Sequence, residues 1–147
     1  MKIILQKVKQ ASVKVHGKVV GEIPHGFLIL LGVGQGDTSL QADYLVDKIL
    51  KLRLFAESGS ETFMEKNIVE YNGEILIVSQ FTLYGDCKKG TRPSFSDAAR
   101  PDTARELYEY VISKFKESTV HIESGEFQAY MEVELINDGP ITLILER

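Results

Sequence analysis

A row of polar side chains follows the apolar run 75–78. Ser79, Gln80 and Thr82 flank Phe81, where further valine or isoleucine would pack better in a core strand. Hydroxyl, amide and backbone groups orient small ligands in mostly apolar pockets. We therefore interpret this stretch as the floor of a ligand pocket. The alternative is a sheet with one solvated face, on which threonine and glutamine are ordinary.

Three cations follow in a loop that we call the basic lip: Lys88, Lys89 and Arg92. Such a cluster predicts phosphate contacts, which give salt-dependent and sequence-independent affinity for a nucleic acid. The whole chain has a formal net charge of −4, whereas proteins that grip long duplex DNA are usually basic. The charge argues against DNA as a partner but permits a local phosphate contact.

The stretch 137–142, NDGPIT, places Gly139-Pro140 between two predicted strands. Proline has no N–H to donate to a sheet, so a turn or a sheet edge is the ordinary interpretation. The bond can be cis or trans, and the sequence leaves the isomer open. A rigid Gly-Pro pair would present its carbonyl oxygens to an ammonium group, or as a wall against a side chain.

The other residues do not favour metal or cofactor chemistry. His16, His25 and His121 lack the spacing of metal ligands. The single cysteine, Cys87, excludes an intrachain disulfide and a thiolate zinc cage. The glycines at 32–36 fail the spacing of the dinucleotide-binding fingerprint. We expect no metal and no cofactor.

The bulk composition is that of an ordinary globular domain. Of the 147 residues, 44% are hydrophobic and 26% are charged. No apolar run approaches the roughly 20 residues that span a bilayer, and the first ten residues lack the features of a signal peptide. We expect one domain over residues 1–147, a cytoplasmic location and no membrane partner.

Apolar periodicity predicts a mixed α/β domain of about eight strands and two helices. The dipeptides His16-Gly17 and Asn72-Gly73 predict hairpin turns. A surface loop is expected at 58–62. The predicted strands cover residues 2–15, 18–23, 27–33, 68–71, 74 onward, 120–122, 130–136 and 141–145.

Both predicted helices have clear start signals. The stretch 38–41 fits a capping box, which predicts a helix to about residue 54. We expect Leu40 and Tyr44 on its apolar face. Pro101 suits the first position of the second helix.

The polar strand and the Gly-Pro stretch together resemble the D-aminoacyl-tRNA deacylase family. SQFT at 79–82 with GTRPSF at 90–95, and NDGPIT at 137–142, are similar to the two signature motifs of that family. The stretches 6–15 and 21–33 resemble its N-terminal region. The resemblance covers essentially the whole chain.

The resemblance implies a single compact α/β domain, with a three-layer mixed β-sheet, a barrel-like core and two main helices. It implies a homodimer that hydrolyses the ester between a D-amino acid, or glycine, and the terminal adenosine of tRNA. The catalytic site would comprise Ser79, Gln80, Phe81 and Thr82. The partners would be the acceptor end of an aminoacylated tRNA, whose phosphates the basic lip would face, and a second copy of the chain.

Further site residues follow from the same resemblance. Gly139 and Pro140 of the partner subunit would enter the pocket in the cis form and leave no room for an L side chain. Phe127 and Met131 would line the adenosine pocket. Many family members carry an arginine at the position of Lys7, where it braces the Gly-Pro segment. Lysine lacks the bidentate fork of arginine, so the Gly-Pro segment that excludes an L side chain could be held differently here.

The implied mechanism uses the 2′-hydroxyl of the terminal ribose to help water attack. The protein would supply positioning and backbone N–H groups near Phe81 and Thr82. Thr82 has no obvious base to activate it. Two other functions stay open: a non-catalytic RNA-end binding module, and a small-ester hydrolase that uses Thr82 or Cys87.

Overall fold

Strand β1 is central, and the other strands are arranged around it. The structure, a computed structural model, describes residues 1–57 and 64–147, so the loop predicted at 58–62 lies outside the described residues. The strands are β1, Lys2–Val15; β2, Lys18–Ile23; β3, Gly26–Gly32; β4, Glu74–Ser79; β5, Ile122–Ser124; and β6, Met131–Glu146. The helices are α1, Ser39–Lys51; α2, Ile68–Tyr71; and α3, Pro101–Lys116, with a 3-10 helix at Phe81–Tyr84.

The strands form one mixed sheet that is nearly closed into a barrel, which confirms the predicted fold class. On one side of β1, its first half pairs antiparallel with β3 and its second half with β2. On the other side, β6 pairs antiparallel along almost its whole length. The pairs β3–β4 and β4–β5 are parallel. A Cβ added to Gly21 of β2 would lie 2.8 Å from the Ser124 carbonyl oxygen of β5, and this close approach nearly closes the barrel.

One of the two predicted hairpins is confirmed, and the other is wrong. His16 and Gly17 have positive φ angles of 48° and 75° and join β1 to β2, as a two-residue hairpin turn requires. Asn72 has a φ of 57°, but it ends the short helix α2, which begins with a capping box at Asn67. Residues 68–71 are therefore helical, because a left-handed asparagine can end a helix as well as turn a hairpin.

The strands predicted at 130–136 and 141–145 form the single strand β6. It continues through Gly139-Pro140, where its pairing with β1 shifts in register instead of ending. Proline is tolerated there because β6 pairs only with β1 among the described strands, so its outer edge needs no N–H donor. The described residues thus contain six strands instead of about eight.

The sheet separates two apolar clusters. Helices α1 and α3 cover one face, where Ile49 and Phe115 are fully buried in the larger cluster. The second cluster lies on the opposite face of the sheet, around Val13 and Leu28. Helix α3 begins at Pro101, as predicted. The carboxyl ends of β3 and β4 carry residues of both clusters, Leu31 of the larger one and Val78 of the second.

Helix α1 begins at the predicted capping box, in which Thr38 accepts from the Leu40 N–H. The prediction that Leu40 and Tyr44 lie on its apolar face is wrong, because their side chains are 75% and 47% exposed. Residues at i, i+3, i+4 and i+7 share one helix face. The buried residues have this spacing, and they are Ala42, Leu45, Val46 and Ile49.

We expect Leu45→Ala to lower the free energy of unfolding by about 2–5 kcal/mol, because it removes a fully buried side chain and leaves a cavity. Leu40→Ala is the matched control and should change the free energy by less than about 0.5 kcal/mol. Urea denaturation of both variants measures the difference. Equal destabilisation would contradict the assigned helix face.

Candidate active site

The strand that carries the candidate catalytic residues ends earlier than predicted. Strand β4 ends at Ser79, and the chain turns at Gln80 into the 3-10 helix Phe81–Tyr84. The Gln80 N–H donates to the Leu31 carbonyl at 2.7 Å, which fixes the turn to β3. The strand predicted from residue 74 onward therefore stops at Ser79, and a 3-10 helix with three residues per turn follows it.

A cavity of about 540 Å³ lies over this strand end. Ser79, Gln80 and Phe81 line one part of it, and Phe127 and Met131 line another. The volume is typical of a pocket for a small ligand. The structure thus brings five predicted site residues from two distant parts of the sequence around one space.

Thr82 is exposed and is not among the described residues that line the cavity. Its hydroxyl accepts a hydrogen bond from the side-chain amide of Gln80. That amide N–H is a donor and not a base, so this contact does not activate the hydroxyl as a nucleophile. The backbone N–H groups of Phe81 and Thr82 open the 3-10 helix and have no acceptor within it.

Tyr108 of α3 forms a buried wall of the cavity. Its ring centre lies 5.7 Å from that of Phe127, and its hydroxyl donates to the Ile77 carbonyl at 2.9 Å. Burial raises the pKa of the Tyr108 phenol to about 12. The phenol therefore stays protonated at neutral pH and ties α3 to β4 just before the floor of the cavity.

A tight turn at 126–129 stands at the mouth of the cavity, closed by a hydrogen bond of 3.2 Å from its last N–H to its first carbonyl. Gln128 within it has a positive φ of 66°. Arg105 of α3 lies with its guanidinium 4.7 Å from the centre of the Phe127 ring and donates to Gln128 Oε1 at 3.0 Å. Arg105, Gln128 and Tyr130 were not predicted as site residues from the sequence, because no spacing connects α3 with this turn.

The basic lip is a closed loop beside the cavity. Asp86 and Ser94 exchange two backbone hydrogen bonds of 2.8 and 2.9 Å, which close its base. The next residue, Phe95, packs edge-on at 5.1 Å against Phe81 of the cavity floor. The lip cations are exposed and form no ion pair with another described residue: Lys88, Lys89 and Arg92.

The bond Gly139-Pro140 is cis, and both residues are exposed. Neither is among the described residues that line the cavity of their own chain. Lys7 lies beside them, with its Nζ 3.0 Å from the Asp138 carboxylate and its carbonyl accepting from the Asn137 amide at 2.9 Å. One chain therefore carries the predicted site residues in two separate places.

No group of three or more His, Cys, Asp or Glu within residues 1–57 and 64–147 is arranged to hold a metal ion. His121 instead lies 2.9 Å from the Glu123 carboxylate, and Cys87 is exposed. No helix in this part of the chain is long and apolar enough to cross a membrane.

The chain is similar to named proteins along its whole length. A profile of the D-Tyr-tRNA(Tyr) deacylase family matches residues 4–146. The D-aminoacyl-tRNA deacylase of Thermosipho melanesiensis is 52% identical over 147 residues, which are 99% of this chain and 97% of that protein. The protein of the same name from Rippkaea orientalis is 49% identical and covers 100% of both chains.

Two solved structures share the fold. A structure described as c-Myc DNA Unwinding Element Binding Protein has a TM-score of 0.93 at 38% identity and covers 100% of this chain and 99% of its own. A probable eukaryotic D-amino acid tRNA deacylase has a TM-score of 0.81 at 18% identity and covers 98% and 97%. At that identity the second structure shows the fold alone.

The fold, the cavity and these similarities define an enzyme, a hydrolase that acts on ester bonds. The chain belongs to the D-Tyr-tRNA(Tyr) deacylase family, because the family profile matches almost all of it and relatives of about half identity cover it from end to end. The resemblance drawn from the sequence motifs is confirmed.

The buried Tyr108 phenol generates a prediction at high pH. Its pKa is raised in the folded state from an ordinary value near 10 to about 12. The stability that it contributes is therefore fully present below pH 10 and is lost as the pH rises through 12, by up to about 2 kcal/mol. Urea titrations between pH 9 and 12 should show this loss in the wild type and less of it in Tyr108→Phe.

Tyr130→Phe is the matched control for this pH titration, because Tyr130 is highly exposed. It should lose stability with pH as the wild type does. The same pH dependence in the wild type and in Tyr108→Phe would show that the Tyr108 proton is not linked to folding.

Proposed function

We propose that this protein hydrolyses the ester bond of D-aminoacyl-tRNA, and of glycine mischarged on tRNA, and releases free tRNA and the amino acid. The observation that carries the proposal is the cavity between Ser79–Phe81 and Phe127–Met131, in a chain of this family. A cavity of about 540 Å³ suits the aminoacylated end of an RNA better than a longer stretch of it.

The two parts of the cavity have different roles in this proposal. Phe127 and Met131 contact the terminal adenosine, because an aromatic ring and a thioether both pack well against a flat base. Ser79, Gln80 and Phe81 contact the aminoacyl group at the strand end. The ester bond then lies between the two parts, close to the start of the 3-10 helix.

The reaction needs no protein nucleophile. An aminoacyl ester is already activated, and the 2′-hydroxyl of the terminal ribose helps water to attack the carbonyl carbon. The backbone N–H groups of Phe81 and Thr82 stabilise the oxyanion of the tetrahedral intermediate, since they open the 3-10 helix and point away from its own carbonyls. The enzyme contributes mainly by holding the ester in one orientation.

Chiral selection requires a second copy of the chain in this proposal. Gly139 and Pro140 are exposed and do not line the cavity of their own chain, so a partner subunit would deliver them to it. Their main-chain carbonyls would then exclude an L side chain, while a D side chain would point away. Lys7, through Asp138, holds the segment in place of the arginine that many family members carry.

A groove of mixed polarity beside the edge of β6 supports association of two copies. It has a volume of about 830 Å³, and its lining combines polar residues such as Gln10, Glu22 and Glu134 with the apolar residues Ile23, Pro24, Leu135 and Ile136. The Ile136 side chain is 50% exposed, and β6 pairs with no other described strand along its outer edge. An exposed apolar surface beside an open sheet edge is favourable for burial in a dimer.

The basic lip contacts tRNA phosphates in this proposal. Its three cations are exposed and form no ion pair with a described residue, so phosphate oxygens would not have to displace a described carboxylate. Phosphate contacts carry no sequence information, which suits an enzyme that accepts many tRNAs.

The test is hydrolysis of D-tyrosyl-tRNA and L-tyrosyl-tRNA by the purified protein with a chelator present. We expect rapid release of D-tyrosine and release of L-tyrosine at least about a hundredfold slower, because a clash of about 3 kcal/mol with main-chain atoms has that effect. Equal release of both amino acids would support the esterase activity but contradict the proposed exclusion of L side chains by Gly139 and Pro140. No release of either, or of glycine from glycyl-tRNA, would favour a non-catalytic RNA-end binding module.

Thr82→Ala should retain kcat/KM for D-tyrosyl-tRNA within about tenfold of the wild type, because its hydroxyl contacts a donor and not a base. Loss of a catalytic nucleophile costs far more, about 10⁶-fold in kcat in a serine protease. Single-turnover kinetics, with tRNA affinity measured in parallel, separates the cases. A loss beyond about a thousandfold with unchanged affinity would make Thr82 the nucleophile.

A further inference from the structure

Tyr130 is an aromatic residue at the mouth of the cavity with no ring partner. Its side chain is 85% exposed, although it lies among the residues that line the cavity. Within the described residues it forms no hydrogen bond and no ring contact. Both faces of the ring are therefore open beside the site.

The other exposed aromatic rings in the described residues are each covered on one side. Tyr71 stacks at 4.1 Å on the Phe55 ring, and Tyr44 lies under the Arg147 guanidinium at 4.8 Å. Phe81 and Phe95 pack against each other. Tyr130 is the exception, so its exposure has no explanation in the packing of the chain itself.

The backbone holds Tyr130 in a fixed position. The closed turn at 126–129 precedes it, and Arg105 braces this turn through Phe127 and Gln128. The residue after it, Met131, is paired with Val15 of β1. Because the backbone on both sides is fixed, a ligand that stacks on the ring has to order only the Tyr130 side chain, which limits the loss of conformational entropy.

We propose that the Tyr130 ring stacks on the base of the nucleotide that precedes the terminal adenosine of tRNA. The inference rests on the proposed function, in which Phe127 and Met131 contact the adenosine. Tyr130 lies between these two residues in sequence and further out in the mouth, so the next base along the RNA reaches it first. Stacking on an aromatic ring tolerates any base, as an enzyme for many tRNAs requires.

An interface with a second copy of the chain is the competing use of this ring. The neighbours of Tyr130 argue against such an interface, since Gln128 and Glu132 are exposed and polar. The groove proposed for association contains Leu135 and Ile136 and does not include Tyr130. A single ring among polar side chains suits a base better than an apolar protein surface.

The test compares two small substrates that differ by one nucleotide: D-tyrosyl-adenosine and the D-tyrosyl ester of cytidylyl-adenosine. For the wild type, KM should be about tenfold lower for the dinucleotide, in line with base–aromatic stacking. Tyr130→Ala should abolish this difference and leave KM for D-tyrosyl-adenosine unchanged. Tyr130→Phe should restore the difference, because stacking needs the ring and not the hydroxyl. Tyr44→Ala is the matched control and should behave as the wild type.

Two results would overturn the proposal. An equal rise in KM for both substrates in Tyr130→Ala would put the ring on the adenosine itself. An unchanged KM together with a smaller sedimentation coefficient would assign the ring to an interface between copies. Wild-type turnover of D-tyrosyl-tRNA reports separately on the proposed function. If there is none, calorimetric titration with uncharged cytidylyl-adenosine and adenosine still decides whether Tyr130 binds the extra nucleotide.

Discussion

The pairing of β1 on both of its edges is the constraint on which the rest of the structure depends. Its 14 residues hydrogen-bond to β3 and β2 on one side and to β6 on the other. The two sides of the cavity are attached to this strand or to its neighbour β3. The floor is fixed by the Gln80 N–H on Leu31 of β3, and the opposite side by Met131 on Val15 of β1. Loss of this pairing would separate the two sides of the cavity.

Helix α3 converts this arrangement of strands into a shaped cavity. Tyr108 ties the helix to β4 with one hydrogen bond, and Arg105, three residues earlier, holds the turn at the mouth. The two side chains lie near each other because residues three apart share a helix face. One helix therefore positions both the buried wall and the exposed mouth of the cavity. The Arg105 guanidinium contacts the Phe127 ring and the Gln128 side-chain amide.

The sequence was informative where a local pattern and the tertiary structure agree. The capping box at 38–41, the turn at His16-Gly17 and the helix start at Pro101 all form as predicted. The hairpin predicted at Asn72-Gly73 was wrong because a left-handed asparagine occurs both in hairpin turns and at helix ends. Only the parallel pairing of β3 with β4 decides between the two. The prediction that Leu40 lies on the buried face of α1 was wrong because apolar character alone does not define a helix face.

The sequence motifs predicted several of the residues that line the candidate site, but not which helix contacts hold them in place. The resemblance identified both sides of the cavity, but the contacts of Arg105 and the exposure of Tyr130 depend on how α3 crosses a turn more than twenty residues away. No periodicity contains such information, since it describes neighbours along one element. The end of β4 at Ser79 was also missed, because Phe81 and Leu83 are apolar at alternate positions, as in a strand, although the strand has already ended.

The single strand β6 has a consequence for the evolution of this fold. Met131 and Gly139 lie on it eight positions apart, or about 26 Å at the usual rise per residue. One inserted residue between them would move Gly139 by about 3.3 Å and turn it to the opposite face of the sheet. An insertion or deletion in this part of β6 would therefore change the position of Gly139 relative to Met131. The basic lip is closed at its base by Asp86 and Ser94, so a change in its length between these two residues leaves the pairing of the sheet strands unchanged.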